Sequence, residues 1–457
     1  MSDNNRALLD RFLSSFTFDR RLADADIRTC IAHTRMLVRR RLVSARDAAR
    51  VVAALQRLAK HPERIAPAED IHFALEQALE RQLGKHRALA GIIRTGRSRN
   101  DLVAADERLH LRDEIRAQRL LLQDLIAAIL AQAKAHPGAA LCGMTHLQPA
   151  QPVLFAHYLL AFGWMFARDI ERLDDCARRA DRSALGAAAF AGTSFPVDRA
   201  GVARLLSFHA PTDNSVDTVS DRDYYVEYAA AASLIMAHLS RLAEELIIWA
   251  NPNFGYISLP EDLTSGSSIM PQKNNPDYLE LVRGRAGQVY GGLVALLTML
   301  KGLPLAYNRD MQEDKRFVFE VMDTVRDCVR VATLVVRGMK VRPDAMRRSL
   351  QRDEIMATEL ANRLVRIARL PFTTAHAAVR RITQHANATG VRIADIPPAE
   401  FRRLLLPVRV SDTVLRGLRR DLDPEHAAAG ARSFGGSSIS DVERQIAALS
   451  KLASRKG

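Results

Sequence analysis

Cysteine and aromatic residues are scarce in this chain: four Cys, and only 6% Phe, Trp and Tyr in 457 residues. Cys30, Cys142, Cys176 and Cys328 lie far apart with no CxxC pair. That argues against a zinc site or a disulfide framework and for isolated packed thiols. No apolar run of about 18 residues occurs, so no membrane span is expected. The opening MSDNNRALLDRF lacks the apolar core of a signal peptide, which makes the cytoplasm the default compartment. GxGxxG and GxxxxGK[ST] are both absent, and Gly and Ser are too dispersed for a phosphate-binding loop. No carboxylate/His grouping stands at metal-ligand spacing, so neither metal nor cofactor is expected. No 20–50-residue repeat points to a solenoid.

What the chain has is charge and helical periodicity. Lys plus Arg exceed Asp plus Glu by 66 − 52 = 14. A basic chain can signal nucleic-acid binding. Here the arginines are spread along helix-like stretches, as in Arg39-Arg40-Arg41 and Arg402-Arg403, with no basic tail. A solvated helical surface, with a steering field for an anionic substrate, fits better. Tyr225, Tyr228, Ala232, Ile235, Leu239, Leu242, Leu246 and Trp249 alternate steps of three and four, an apolar seam of coiled-coil type. Val321 to Met339 repeats it, and Phe155, Leu159, Phe162 and Phe166 give a third, partial seam. Such helices must bury their stripes against one another. No stretch alternates with period two long enough to support a strand. The expectation is an all-α chain: an N-terminal helical domain (1–98), a central long-helix bundle (99–349) and a smaller proline-divided helical domain (350–457).

Four polar blocks interrupt the helices. TSGSSIMPQKNNPDYLE, Thr264 to Glu280, joins a Ser/Gly run to a helix start: Asn275 suits the N-cap, Pro276 the first helical position and Asp277 the first turn. A helix start attracts anions. Alone, a Ser/Gly run reads as a flexible surface loop. Thr95-Gly96-Arg97-Ser98-Arg99-Asn100-Asp101 gathers two guanidinium groups with small polar groups in one turn, a candidate carboxylate clamp. Its plainer reading is a polar loop before a helix. Pro149 and Pro152 break any helix around Met144-Thr145-His146-Leu147-Gln148, so His146 sits on a loop. Tyr307 to Lys315 combines phenol, amide and ammonium groups that can bind carboxylate or guanidinium. Asp70, in Glu69-Asp70-Ile71-His72, is either an N-cap or a partner for a cationic substrate group.

GSSIMPQKNNP, Gly266 to Pro276, resembles the GSSxMPxKxNP signature of the fumarase/aspartase superfamily. TGRSRND, GMTHLQPAQP and the Tyr307–Lys315 block are similar to those of its argininosuccinate lyase family. The resemblance runs from about Phe12 to Leu449. It implies a lyase that removes a Cβ proton and eliminates fumarate from N-(L-arginino)succinate, with no cofactor. Ser267 would be the base, Lys273 would support its alkoxide, and His146, backed by Glu280, would serve the leaving nitrogen. Substrate positions carried over are Ser15, Asp70, Arg97, Ser98, Arg99, Asn100, Thr145, Ser268, Met270, Asn275, Tyr307, Gln312 and Lys315. It also implies a homotetramer with active sites shared between subunits. Leu13 stands where Asn is usual, a WGGRF stretch is missing, and Asn274 replaces a usual Lys. These departures keep open a related carbon–nitrogen lyase acting on another N-(1,2-dicarboxyethyl) amine. A non-catalytic protein on the same scaffold is a further alternative, which retained Ser267, His146 and Lys273 oppose.

Overall fold

The computed structural model describes residues 2–420 and 422–454. Its elements, in chain order, begin with α1 (Asp3–Leu13), α2 (Ala23–Arg39), α3 (Ala45–Lys60) and α4 (Ile71–Leu83). They continue with α5 (Arg99–Ala135), β1 (Ala140–Thr145), β2 (Gln148–Leu154), α6 (Phe155–Ala180) and α7 (Asp223–Ala250). A two-residue pair, β3 (Ser265–Gly266) and β4 (Asn274–Asn275), precedes α8 (Asp277–Leu300) and α9 (Asp314–Gly338). Shorter helices follow: α10 (Ala357–Ala368), α11 (Phe372–Thr389), α12 (Pro398–Leu405), α13 (Asp412–Arg420) and α14 (Ile439–Ala453). The fold is all-α, and strands among the described residues occur only as two-stranded pairs. No described helix is long and apolar enough to cross a membrane.

Local chemistry sets the helix ends. The Ser44 hydroxyl accepts the Asp47 N–H at the start of α3, and the Asp70 carboxylate accepts the Phe73 N–H at the start of α4. Each satisfies a backbone donor that the helix cannot. Gly84, at φ +57°, closes α4 in a conformation that a Cβ disfavours. α8 begins at Asp277, one residue later than the Asn-Pro signal implies. The Pro276 carbonyl accepts the Leu279 and Glu280 N–H groups.

The chain divides into two compact units, with the divisions falling inside α5 to α9. The first comprises Met1–Leu121, Asp169–Ala237 and Arg285–Cys328; the second comprises Leu122–Arg168, His238–Gly284 and Val329–Gly457. Every residue of the seam from Tyr225 to Trp249 is buried, as are Val321, Val325, Cys328, Ala332, Val335 and Met339. All four cysteines are free and buried.

In the first unit, α2 and α5 share a core of Ala25, Met36, Leu37, Ala104, Ala105 and Leu109. Below it is a buried ionic set. Arg222 Nε lies 2.5 Å from Asp314 and 3.0 Å from Glu107, and Lys315 Nζ lies 2.6 Å and 2.8 Å from the same two carboxylates. The Tyr224 hydroxyl donates to Glu107 as well. Four buried charges survive here because each one faces two of opposite sign. Arg222 therefore serves structure within the chain, as does its neighbour Asp221, which pairs with Arg108. In the second unit, α10 to α13 pack Leu360, Leu364, Ile382, Phe401 and Leu418. α14 lies close against α6: a Cβ at Gly163 would come 2.9 Å from Leu449.

Candidate active-site elements

In the second unit, β1 and β2 pair antiparallel from Ala140↔Leu154 to Thr145↔Gln148 and lift His146 to the tip of a hairpin. Period-two alternation is too weak in this stretch for the strands to show in sequence. The two-residue turn is His146-Leu147, at φ +55° and +56°. Both central residues of such a turn need positive φ, which Asn-Gly adopts cheaply and His-Leu does not. Strain held at a tip is characteristic of functional positions. Thr145 and His146 are exposed, and neither side chain has a hydrogen-bond or ion-pair partner among the described residues.

The Ser/Gly loop is closed at its base by the β3–β4 ladder, Ser265↔Asn275 and Gly266↔Asn274. The Ser265 hydroxyl bonds to Asp277 at the helix start. Between these ends, Ser268 to Lys273 are exposed, Ile269 to 87%. Ser267 is the half-buried residue of the loop. Its Oγ accepts two backbone N–H groups, from Met270 at 3.1 Å and Ile269 at 3.3 Å. Donors aimed at a hydroxyl oxygen favour its deprotonated form, since the negative charge strengthens both bonds. Lys273 is fixed through its backbone, donating to the Met270 carbonyl at 3.1 Å. Glu280, on the first turn of α8, is exposed, and among the described residues no ion pair joins it to His146.

The first unit gathers the other expected positions, and there nearly every polar group is already bonded. Ser15 is 2% exposed; its hydroxyl donates to Asp19 at 2.6 Å and its N–H to the Glu69 carbonyl at 2.9 Å. Asp19 in turn accepts the Ile71 N–H at 3.1 Å. Asp70 caps α4 and pairs with Arg99. Arg97 Nη1 points to Cys30 Sγ at 3.3 Å. Burial alone would lower the Arg97 pKa, but Cys30 and Asp26 outweigh it and raise it. Ser98 Oγ accepts the Asn100 N–H, and Asn100 Nδ2 donates to the Ala189 carbonyl at 2.9 Å. Gln312 and Arg309 both donate to the Leu13 carbonyl, at 3.1 Å and 3.2 Å. Lys315 is 4% exposed within the ionic set, so its ammonium faces carboxylates of its own chain. Tyr307 is half-buried, and burial raises the pKa of its phenol.

Sequence reasoning missed Asp19, Asp26, Cys30, His33 and Asp106. It also found no metal-type grouping, because the one among the described residues is assembled from three separate helices. Carboxylate and ring atoms of Asp26, His72 and Asp106 lie within 4.8 Å of one another, all buried. Arg97 acts on both carboxylates, so a protein cation already stands beside the group.

The family described as Lyase matches residues 1–291, and that described as Argininosuccinate lyase C-terminal matches residues 354–429. The argininosuccinate lyase of Thiobacillus denitrificans is 45% identical over 446 residues, covering 96% of this chain and 94% of the relative. That of Symbiobacterium thermophilum is 43% identical over 451 residues, covering 97% and 95%. Among solved structures, an EDDS lyase in complex with formate superposes with a TM-score of 0.84 at 26% identity, covering 95% of this chain and 87% of that one. The hairpin-borne histidine, the ladder-closed serine loop and the TGRSRND turn thus stand in a chain that, along nearly its whole length, belongs to the argininosuccinate lyase family.

Proposed function

We propose that this chain is a carbon–nitrogen lyase that splits N-(L-arginino)succinate into arginine and fumarate. The observation that carries the proposal is the Ser267 hydroxyl held under two backbone N–H groups. It does so in a chain 43–45% identical to argininosuccinate lyases over nearly all its length.

A proton beside a carboxylate is weakly acidic, so its removal needs a strong base and a stabilised dianion. An alkoxide at Ser267 is such a base, and its two N–H donors and Lys273 lower the cost of forming it. It takes the Cβ proton as the loop shuts and water is excluded. Charge then builds on the substrate carboxylate, where Ser268, Asn275 and backbone N–H groups of the Met270 segment act as preset donors, commonly worth about 3–4 kcal/mol each. The Cα–N bond breaks, the electron pair leaves with nitrogen as a neutral guanidine, and His146 supplies the proton it then takes up, directly or through a water. Ser98, Arg99 and Asn100 grip a carboxylate, with Arg97 behind them. Ser15, Asp70, Thr145, Tyr307, Gln312 and Lys315 form the remaining substrate wall, Lys315 through the carboxylates it orders.

The working form in this proposal is a cytoplasmic homotetramer with sites shared between subunits. Tyr290, Val294 and Leu297 leave α8 with an exposed apolar stripe, the kind of surface that association buries. Glu280 would then meet His146 of another copy.

Incubation with argininosuccinate should release fumarate, followed by its ultraviolet absorbance. Fumarate from a different N-substituted aspartate, with none from argininosuccinate, would transfer the proposal to another amine. The 26% identity to the EDDS lyase, against 43–45% to argininosuccinate lyases, favours the first substrate.

A further inference from the structure

The inner face of α2 is polar where a core face is normally apolar. Asp26, Thr29, Cys30 and His33 fall at i, i+3, i+4 and i+7, one helical stripe, and each is at most 2% exposed. Burying polar groups is costly unless they are bonded, and apolar replacements at such positions are often neutral or stabilising. The stripe is therefore not explained by the stability of α2.

Its bonds lead to one place. His33 Nε2 lies 2.9 Å from the Thr95 carbonyl. A carbonyl only accepts, so this nitrogen carries the proton. Cys30 Sγ receives Arg97 Nη1 at 3.3 Å and donates to Asp26 Oδ1 at 3.1 Å. Asp26 Oδ2 lies 2.8 Å from His72 Nδ1, on α4. Asp106 Oδ2, on α5, is 3.7 Å from the same nitrogen. The Thr95 carbonyl and the Arg97 guanidinium are thus held directly from α2, with His72 of α4 behind Asp26. Asp101 ties the turn further, accepting the N–H groups of Ser98, Gly186 and Ala188.

We propose that Asp26 and His72 are positioning residues for this turn. By drawing Arg97 inward through Cys30, they set Ser98, Arg99 and Asn100 in the geometry that receives a substrate carboxylate. The inference rests on the reading of the turn as the carboxylate clamp.

The surroundings push the two carboxyls of the cluster in opposite directions. Burial raises the Asp26 carboxyl, but His72, Arg97 and the Cys30 bond outweigh it and hold it below the ordinary range. Burial and then Asp26 push Asp106 well up, with Glu107 adding to the rise and Thr29 and Arg97 opposing it.

The test is steady-state release of fumarate from argininosuccinate, with thermal melting to check folding. Asp26→Asn and His72→Asn are expected to lower kcat/KM by roughly 10²-fold, the loss expected of about 1 Å misplacement. Most of it should appear in KM, with the melting temperature close to wild type. Asn100→Ala should give the same KM-weighted loss. If Asn100→Ala has no effect, the clamp reading fails. If Asn100→Ala is impaired while folded Asp26→Asn and His72→Asn keep wild-type KM, the positioning inference fails. Should those variants not fold, Cys30→Ala decides: cutting the link between Asp26 and Arg97 should raise KM with kcat little changed, and a folded Cys30→Ala with wild-type KM overturns the inference.

Discussion

The Arg97–Asn100 turn of the first unit and the Ser267–Asn275 loop of the second carry comparable numbers of expected substrate contacts, yet they are held in opposite ways. In the turn nearly every donor already has a partner within the chain: Cys30 for Arg97, Asp70 for Arg99, the Ala189 carbonyl for Asn100. In the loop the base of the ladder is fixed, but Ser268 to Lys273 are exposed. A turn bonded this way presents its geometry before substrate arrives, which is what orientation requires. A serine that must become an alkoxide is better served by a loop whose remaining partners, and dryness, come with closure. Under the proposed function, this difference would give orientation of the substrate mainly to the first unit and proton transfer to the second.

If that division is right, breaking the buried ionic set of the first unit should move stability, disturbing its turn should move KM, and changes in the loop should move kcat. The largest stability effect is expected for Arg222→Met. It strips the buried Glu107 and Asp314 of one of their two cations and should cost roughly 3–5 kcal/mol, read by denaturant unfolding. Lys273→Ala, on the exposed loop, should leave unfolding unchanged while kcat falls by roughly 10²-fold, the loss typical of one charge-stabilising donor. A Lys273→Ala protein that melts early, at wild-type kcat, would erase the contrast.

A smaller effect concerns pH. Burial, then Arg97, lowers His33 to about 3, the Thr95 bond opposing them. Its folded value lies below the unfolded one, near 6.5. The unfolded chain therefore gains a proton first as pH falls. The stabilisation is complete above about pH 6.5 and is lost progressively toward pH 3. Melting temperature should decline over that window in wild type and decline less steeply in His33→Gln. The smallest effect is expected for Leu147→Gly at the hairpin tip, where positive φ is relieved. A gain of about 0.5–1 kcal/mol at most is expected, offset in part by the freer unfolded chain.

Much of the helical scaffold was legible in sequence because its signals are local and periodic. The seam from Tyr225 to Trp249 and the cap at Asp70 fall where spacing and cap chemistry put them. The hairpin under His146 was not, since its strands carry Pro149 and Pro152 and its turn lacks Asn-Gly. Lys315 read as a substrate donor, and only the fold reveals the two buried carboxylates that hold it. Asp26, His72 and Asp106 come together from three helices. No local window contains them, although the 26-29-30-33 spacing marks a polar stripe on α2 that the search for catalytic motifs passed over.

The most direct measurement is single-turnover formation of fumarate by wild type and by Ser267→Ala, with argininosuccinate binding determined separately by calorimetry. The account predicts that Ser267→Ala binds argininosuccinate with near wild-type affinity and forms fumarate on the order of 10²–10⁴-fold more slowly, the contribution expected of a positioned base. Fumarate formed by Ser267→Ala at the wild-type rate would contradict it.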